Sequence, residues 1–160
     1  MNRSLNEIHG ALLDLNGFVN RRQPDEALLG EAGVTLDRAL LPLLVRIERR
    51  GPIGVVDLAD LAGRDHSTVS RQVAKLESLG LVKRRPAQND RRVREAAVTE
   101  KGLAITKALD RARERLAAPL QAKWSSEDLA DLARLLRRLA DDVAASMASG
   151  GKAETGPRPP

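Results

Sequence analysis

The residues best suited to chemistry in this chain are arginines and lysines that crowd into its middle. Between positions 64 and 94 the sequence has nine basic residues and three acidic ones, a local net charge of +6, whereas the whole chain carries +5. A basic excess confined to one segment is typical of a surface that binds a polyanion. A solvated, arginine-rich surface explains most charge runs taken alone. Charge therefore indicates nucleic acid as a partner without deciding the matter.

The sequence contains few residues and motifs that could support catalysis or bind a cofactor. The chain has no cysteine and two histidines, His9 and His66, which disfavours thiolate catalysis and a structural zinc site. It also lacks the glycine-rich phosphate loop, the nucleophile elbow and the paired-histidine zinc motif. We predict that the protein is not an enzyme and has no catalytic residues, no metal site and no cofactor.

Composition also bears on location and on the kind of nucleic acid. No run approaches the roughly 18 apolar residues that a membrane span needs, and the start "MNRSLNEIHG" lacks the apolar core of a secretory signal. We therefore predict a cytoplasmic protein with no membrane partner. Aromatic residues make up 1% of the chain, so the stacking platforms that hold single-stranded nucleic acid are missing.

Helices are predicted in the N-terminal part of the chain. Apolar residues that recur every three or four positions predict a helix over about residues 4–22. A polar loop containing Pro24 is expected next. Thr35 is then expected to cap a second helix over about 36–50, in which Pro42 should produce a kink because proline lacks the backbone N–H.

The C-terminal part is also predicted to be helical. Thr99 should cap a long helix that is broken at Pro119, and Ser125 should open a last helix over about 125–147. Leucines on this last helix recur every three or four positions. This pattern predicts an apolar face that packs against another helix, either of the same chain or of a second subunit. The Gly/Pro-rich tail over 148–160 is predicted to be disordered.

Two short helices joined by a tight turn are predicted in the middle of the chain. The first reads "VVDLADLA" and stops at Gly63, and the second begins near Asp65 and ends at Gly80. One side of the second helix is apolar and the other carries Ser, Arg and Lys, an arrangement typical of a helix-turn-helix. The residues predicted to face inward are Val55, Leu58, Ala59 and Leu61 on the first helix and Val69, Val73 and Leu76 on the second.

A hairpin is predicted directly after the second helix. The segment "GLVKRR" reads as a strand, "PAQNDR" as a polar tip and "VREAAV" as a returning strand. A hairpin that follows a helix-turn-helix is a wing. The predicted fold is mainly α with a small β-hairpin wing, and the winged helix-turn-helix lobe covers about 36–98.

The stretch "STVSRQVAKLESLGLVKR" followed by "DRRVREAAVTEKG" resembles the MarR family of bacterial transcription regulators. The family's wing has the pattern D-x-R, with threonine and glycine nine and twelve residues after the acid. Asp90, Arg92, Thr99 and Gly102 occupy these positions here. The resemblance extends over about residues 5–146.

The resemblance implies one MarR-like domain over 1–147, in which the helices at about 4–22 and 125–147 form a homodimer. The dimer would place two lobes on a pseudo-palindromic operator in double-stranded DNA. It also implies a repressor released by a small phenolic or lipophilic ligand, or no ligand at all, because peroxide sensing through cysteine is impossible in this chain.

A set of polar residues on the second helix and the wing is predicted to contact DNA. Arg71 and Gln72 are the candidates for base edges, since Arg can fork onto guanine and Gln onto adenine. By the family pattern Arg92 enters the minor groove and Asp90 braces an arginine through a charge-assisted bond. Phosphate contacts are predicted for Lys75, Arg84 and Arg85. The full predicted set is Ser67, Thr68, Ser70, Arg71, Gln72, Lys75, Arg84, Arg85, Asp90, Arg91, Arg92 and Arg94.

Two other kinds of binding protein remain open at this point. A winged helix can serve only for protein contacts, which predicts an apolar surface on the second helix instead of a Ser/Thr/Arg/Lys surface. An architectural DNA-binding protein without sequence preference is the other alternative, and a binding competition between sequences would separate it.

Overall fold

The structure is a computed structural model that describes residues 3–90 and 92–150. Its elements in chain order are α1 (Arg3–Val19), α2 (Arg22–Ala32), α3 (Leu41–Arg50), β1 (Ile53–Gly54), α4 (Val55–Ala62), α5 (His66–Ser78), β2 (Val82–Pro86), β3 (Arg94–Val98), α6 (Glu100–Gln121) and α7 (Ser126–Gly150). The chain forms two compact units, one ending at Leu116 and the other beginning at Ala117. The predicted fold class, mainly α with a small hairpin, is confirmed. None of the helices in the described ranges is both long and apolar enough to cross a membrane.

The core of the first unit lies among α3, α4, α5 and the sheet. Leu43, Leu58 and Val73 come from the three helices and are fully buried. The predicted inward faces are confirmed for most residues of α4 and α5. Leu61 is the exception, because it is 42% exposed and Ala62 packs against the core instead. Ala62 follows Leu58 by four residues and shares its helix face, whereas Leu61 is turned away from the other inward residues.

The predicted wing is present as an antiparallel hairpin. Strands β2 and β3 pair with Val82 opposite Val98 and Pro86 opposite Arg94. A third strand, β1, adds to the other edge of β3 through Ile53 opposite Ala96. This strand was not predicted, because two residues are too few for an alternating pattern to be visible in sequence.

Two expectations for the N-terminal region are wrong. The segment predicted as a polar loop is helix α2, and the helix before it ends at Val19 instead of residue 22. Pro24 lies in the first turn of α2, where a missing N–H leaves no helical hydrogen bond unmade. Gly33 ends α2 in the left-handed conformation with φ 64°, and Leu28 packs with Leu109 in a second small core.

The expected roles of two prolines are also corrected. Helix α3 begins at Leu41, so Pro42 lies in its first turn and produces no kink. The residues before it form a turn in which the Asp37 carboxylate accepts a hydrogen bond from the Ala39 N–H at 2.8 Å. Pro119 does not break α6, which continues to Gln121. A proline in the last turn removes one helical hydrogen bond close to the end, and the remaining two residues can keep helical dihedrals.

The predicted caps of the two C-terminal helices are confirmed. The Gly102 N–H donates to Thr99 Oγ1 at 3.1 Å and the Asp128 N–H donates to Ser125 Oγ at 3.0 Å. Helix α7 extends to Gly150, so the predicted disordered tail does not begin at 148. The rest of that predicted tail, 151–160, lies outside the described residues.

Candidate nucleic-acid interface

Helix α5 begins at a well-satisfied cap. The Asp65 carboxylate accepts hydrogen bonds from Ser67 Oγ at 2.7 Å and from the Thr68 N–H at 2.8 Å. These hydrogen bonds hold the pKa of the Asp65 carboxyl well below its usual range. Asp65 is therefore ionised at neutral pH, and its charge fixes the start of the helix.

The two sides of α5 differ as predicted. Val69, Val73 and Leu76 are completely buried and anchor the helix to the core. The opposite side is exposed and carries polar or small residues: Ser67, Arg71, Ala74, Lys75 and Ser78. Ser70 and Thr68 lie half-buried at its margins. This outer side is rigidly presented because the inner side is locked in the core.

Arg71 and Ala74 give the exposed side of α5 its chemical character. Arg71 Nη2 donates to Thr68 Oγ1 at 3.3 Å, which leaves the other guanidinium N–H groups for a partner. Ala74 was missed by the sequence reasoning. Its small side chain on the same face lets the helix approach a partner closely, and an alanine methyl can contact a thymine methyl.

Gln72 occupies a different position from the other predicted base readers. It is half-buried, its amide nitrogen donates to the Ala39 carbonyl at 3.4 Å, and its oxygen accepts from Arg64 Nη1 at 3.3 Å. Both ends of the amide are therefore used within the protein. These contacts tie α5 to the segment before α3, and a base contact by Gln72 stays a prediction.

The wing arginines Arg84 and Arg85 both have carboxylates beside them. Arg84 Nε lies 3.4 Å from Glu77 Oε2, and the Arg84 N–H donates to the other oxygen of the same carboxylate at 3.3 Å. Arg85 Nε lies 3.7 Å from Glu95 Oε2, directly across the hairpin. These pairs orient the two side chains and offset part of their charge. The sequence reasoning missed Glu77 and Glu95, although the hairpin register does place Arg85 opposite Glu95.

Asp90 forms the turn at the tip of the wing. Its carboxylate accepts a hydrogen bond from the Arg92 backbone N–H at 2.9 Å, and its carbonyl accepts from the Val93 N–H at 3.0 Å. Within the described residues, this carboxylate forms no ion pair with an arginine side chain. These contacts give Asp90 a turn-forming role. The predicted brace of an arginine stays a prediction, because Arg91 lies outside the described residues.

Several basic side chains of α5 and the wing have no ion pair. On α1, α2, α6 and α7, arginines form ion pairs such as Arg3–Glu7, Arg115–Glu31 and Arg137–Asp141. In the lobe, the following exposed cations have no ion pair within the described ranges: Arg50, Arg64, Arg71, Lys75, Lys83, Arg92 and Arg94. Lys83 is absent from the predicted set but belongs to this surface. The uncompensated charge suits a polyanion and disfavours an apolar protein partner.

The described ranges offer little for a metal site. No group of three His, Asp or Glu side chains there is arranged to hold a metal ion. His66 Nε2 lies 3.4 Å from Asp60 Oδ1 and thus bridges α4 and α5 across the turn.

Three comparisons with known proteins agree on one family. The model of the MarR family matches residues 36–93. The chain is 32% identical to the uncharacterized HTH-type transcriptional regulator YxaD of Bacillus subtilis (strain 168) over 104 residues, which are 65% of this chain and 73% of that protein.

Solved structures show the same fold. A MarR family protein from Bacillus stearothermophilus is similar with a TM-score of 0.66 and 23% identity, over 90% of this chain and 99% of the other. FabT of Streptococcus pneumoniae, solved in complex with DNA, is similar with a TM-score of 0.63 and 18% identity, over 88% of this chain and 98% of the other. The winged lobe, its surface charge and these matches together place the chain in the MarR family of DNA-binding transcriptional regulators.

Proposed function

We propose that the protein is a cytoplasmic, homodimeric repressor that binds a pseudo-palindromic operator in double-stranded DNA. The observation that carries this proposal is the set of unpaired cations on α5 and the wing, above a buried face that holds α5 rigid. Helix α5 would enter the major groove with Ser67 and Arg71 toward base edges, while Lys75 would contact phosphate. The similarity in fold to FabT, which was solved with DNA, supports this mode of binding.

The dimer is proposed from apolar side chains that the single chain leaves exposed. On α7, Leu132, Leu136 and Val143 are 39%, 42% and 49% exposed and share one face. Helix α1 has no buried residue and exposes Leu5, Phe18 and several other apolar side chains. Contiguous apolar faces of this kind mark protein interfaces. A second copy of the chain is the proposed partner.

Replacing Leu136 by glutamate is expected to convert the dimer into a monomer, because a carboxylate buried in an apolar seam has no compensating partner. Sedimentation equilibrium of the purified variant would measure the mass. Ala130→Glu is the matched control, since this exposed position lies on the opposite face of the same helix. A dimeric Leu136→Glu protein would show that α7 does not form the interface.

Replacing Arg92 by alanine is expected to weaken operator binding mainly where the flanking DNA is A·T-rich. Arg92 is exposed and follows the Asp90 turn, and its guanidinium would suit a narrow minor groove with strong negative potential. Fluorescence anisotropy with two operators that differ only in their flanks would measure the effect. Equal losses on A·T-rich and G·C-rich flanks would identify Arg92 as an ordinary phosphate contact.

A gel-shift competition tests the proposed function itself. Labelled DNA from the promoter region of the protein's own gene is expected to be retained in the presence of excess shuffled DNA of the same composition. Specific sites bind typically 10³ to 10⁷ times more tightly than non-specific ones. Equal competition by the shuffled DNA would favour a non-specific architectural protein, and no shift at low salt would favour a protein-interaction module.

Release from the operator by a small phenolic or lipophilic ligand is the remaining part of the proposal. Its support is the family resemblance of the chain, together with the lack of cysteine that a thiol sensor would need. The same gel-shift complex, titrated with phenols and fatty acids, would identify a compound that dissociates it.

A further inference from the structure

Two arginines next to helix α5 have no acidic partner. Arg46 lies half-buried on α3, and Arg64 lies exposed in the turn between α4 and α5. Neither guanidinium forms an ion pair with a carboxylate anywhere in residues 3–90 and 92–150. The neighbouring carboxylate of Asp65 is occupied by Ser67 and Thr68. This pair of arginines is distinct from the DNA-contacting set predicted from the sequence.

The contacts that the two arginines make are long and involve neutral acceptors. Arg46 Nη1 donates to the Pro42 carbonyl at 3.4 Å. Arg64 Nη1 donates to the Ala39 carbonyl at 3.5 Å and to Gln72 Oε1 at 3.3 Å. A guanidinium has five N–H donors. Most of the donors of this pair are therefore available to an additional acceptor.

The two guanidinium groups contact the same stretch of backbone, since Arg46 donates to the Pro42 carbonyl and Arg64 to the carbonyl of Ala39, three residues earlier. Burial lowers the pKa of Arg46, and the nearby charge of Arg64 lowers it further. Two like charges in a partly desolvated place repel, and an anion that accepts hydrogen bonds from both would remove that cost. The local chemistry thus suits a phosphate or another small oxyanion.

The position of the two arginines indicates which kind of phosphate they would bind. Arg64 directly precedes the cap of α5, and its hydrogen bond to Gln72 holds it against the flank of that helix. Its contact with the Ala39 carbonyl brings the start of α3 to the same place. In a helix-turn-helix bound to DNA the second helix lies in the major groove and the first helix crosses the backbone, so we expect the turn between α4 and α5 to lie close to a phosphate.

We propose that Arg46 and Arg64 together bind one phosphate of the operator backbone, so that α3 and the turn before α5 contact DNA in addition to α5 and the wing. This inference rests on the proposed function, because the ligand is a phosphodiester of the operator. Phosphate contacts of this kind fix the register of the protein on the duplex without reading sequence.

The test is the salt dependence of operator affinity for the wild type, Arg64→Gln, Arg46→Gln and the double variant. Each single variant is expected to bind about 10-fold more weakly, as for a lost charged hydrogen bond, and to lower the log-log salt slope by about 0.9. Because both arginines hold one phosphate, the double variant should be little weaker than either single one. Arg64→Lys should keep the slope.

Controls separate binding from folding. Arg111→Gln removes the same charge from an exposed position on α6 and should leave affinity and slope unchanged. The melting temperatures of all variants should agree within a few degrees. If Arg46→Gln lowers stability, the test is made with Arg64→Gln, which lies at an exposed position.

Several results would overturn the inference. The wild type could bind its operator while both single variants keep the same affinity and salt slope. That result would contradict the phosphate site and leave the proposed function intact. Additive losses, about 100-fold in the double variant, would assign two separate phosphates. If inorganic phosphate raises the melting temperature of the wild type but not of Arg64→Gln, and operator affinity is equal, the site binds a free anion instead. A wild type that binds no operator would overturn both proposals.

Discussion

Replacing Gly102 by alanine is expected to destabilise the first unit by about 3 kcal/mol, near the upper end for overpacked sites. Gly102 is buried in the first turn of α6. A Cβ there would collide with the Leu81 carbonyl oxygen and would lie 2.8 Å from Val98 Cγ2. The carbonyl cannot move away, because it accepts hydrogen bonds from the Thr99 N–H at 3.0 Å and from Thr99 Oγ1 at 3.1 Å. The close approach joins the base of the wing to α6.

Urea unfolding followed by circular dichroism would measure this loss. Gly30→Ala is the matched control, because Gly30 lies inside helix α2 and has no atom within 4 Å of an added Cβ. That substitution is expected to stabilise by up to about 1 kcal/mol. Equal stability of Gly102→Ala and the wild type would mean that the wing and α6 are not packed as described.

Replacing Arg71 by alanine is expected to relax discrimination at one base pair of each half-site by about 1 to 3 kcal/mol. The Arg71 side chain extends from the centre of the exposed face of α5, and its hydrogen bond to Thr68 Oγ1 limits its conformational freedom. A fork of two N–H groups can meet the O6 and N7 of guanine, whereas the wrong base leaves these donors unpaired.

Affinities for a set of operators with single base changes would measure the effect of Arg71→Ala. Lys75→Ala is the companion variant, since an exposed lysine one turn further along α5 is expected to contact phosphate and to weaken all operators alike. If Arg71→Ala also weakens every operator equally, Arg71 is a phosphate contact and another residue reads the base.

Most of the lobe could be predicted because its signals are local. The Asp65 cap, the apolar stripe through Val69 and Val73, and the glycine at position 80 lie within one helix and its ends. The hairpin follows at once, with apolar Val82 and Val98 at its paired ends. Sequence periodicity reports such short-range patterns well.

The errors arose where neighbours in space decide the outcome. Pro24 is predicted in a loop and Pro42 at a kink, but each lies in the first turn of a helix that packs through Leu28 or Leu41 in the second core. The hydrogen bond between Gln72 and Ala39, 33 residues apart, was also outside the reach of a local pattern. The carboxylates beside Arg84 and Arg85 likewise come from other elements. Periodicity within one segment contains no information on such contacts.

The most direct test of the central claim is hydroxyl-radical footprinting of the protein on promoter DNA. A dimer that places two copies of α5 in successive major grooves is expected to protect two half-sites with centres about 10 base pairs, roughly 34 Å, apart. Protection should vanish in a variant in which four residues are replaced by alanine: Arg71, Lys75, Arg92 and Arg94. Uniform protection without a preferred position, or a single protected patch in a saturated complex, would contradict sequence-specific binding by a symmetric dimer.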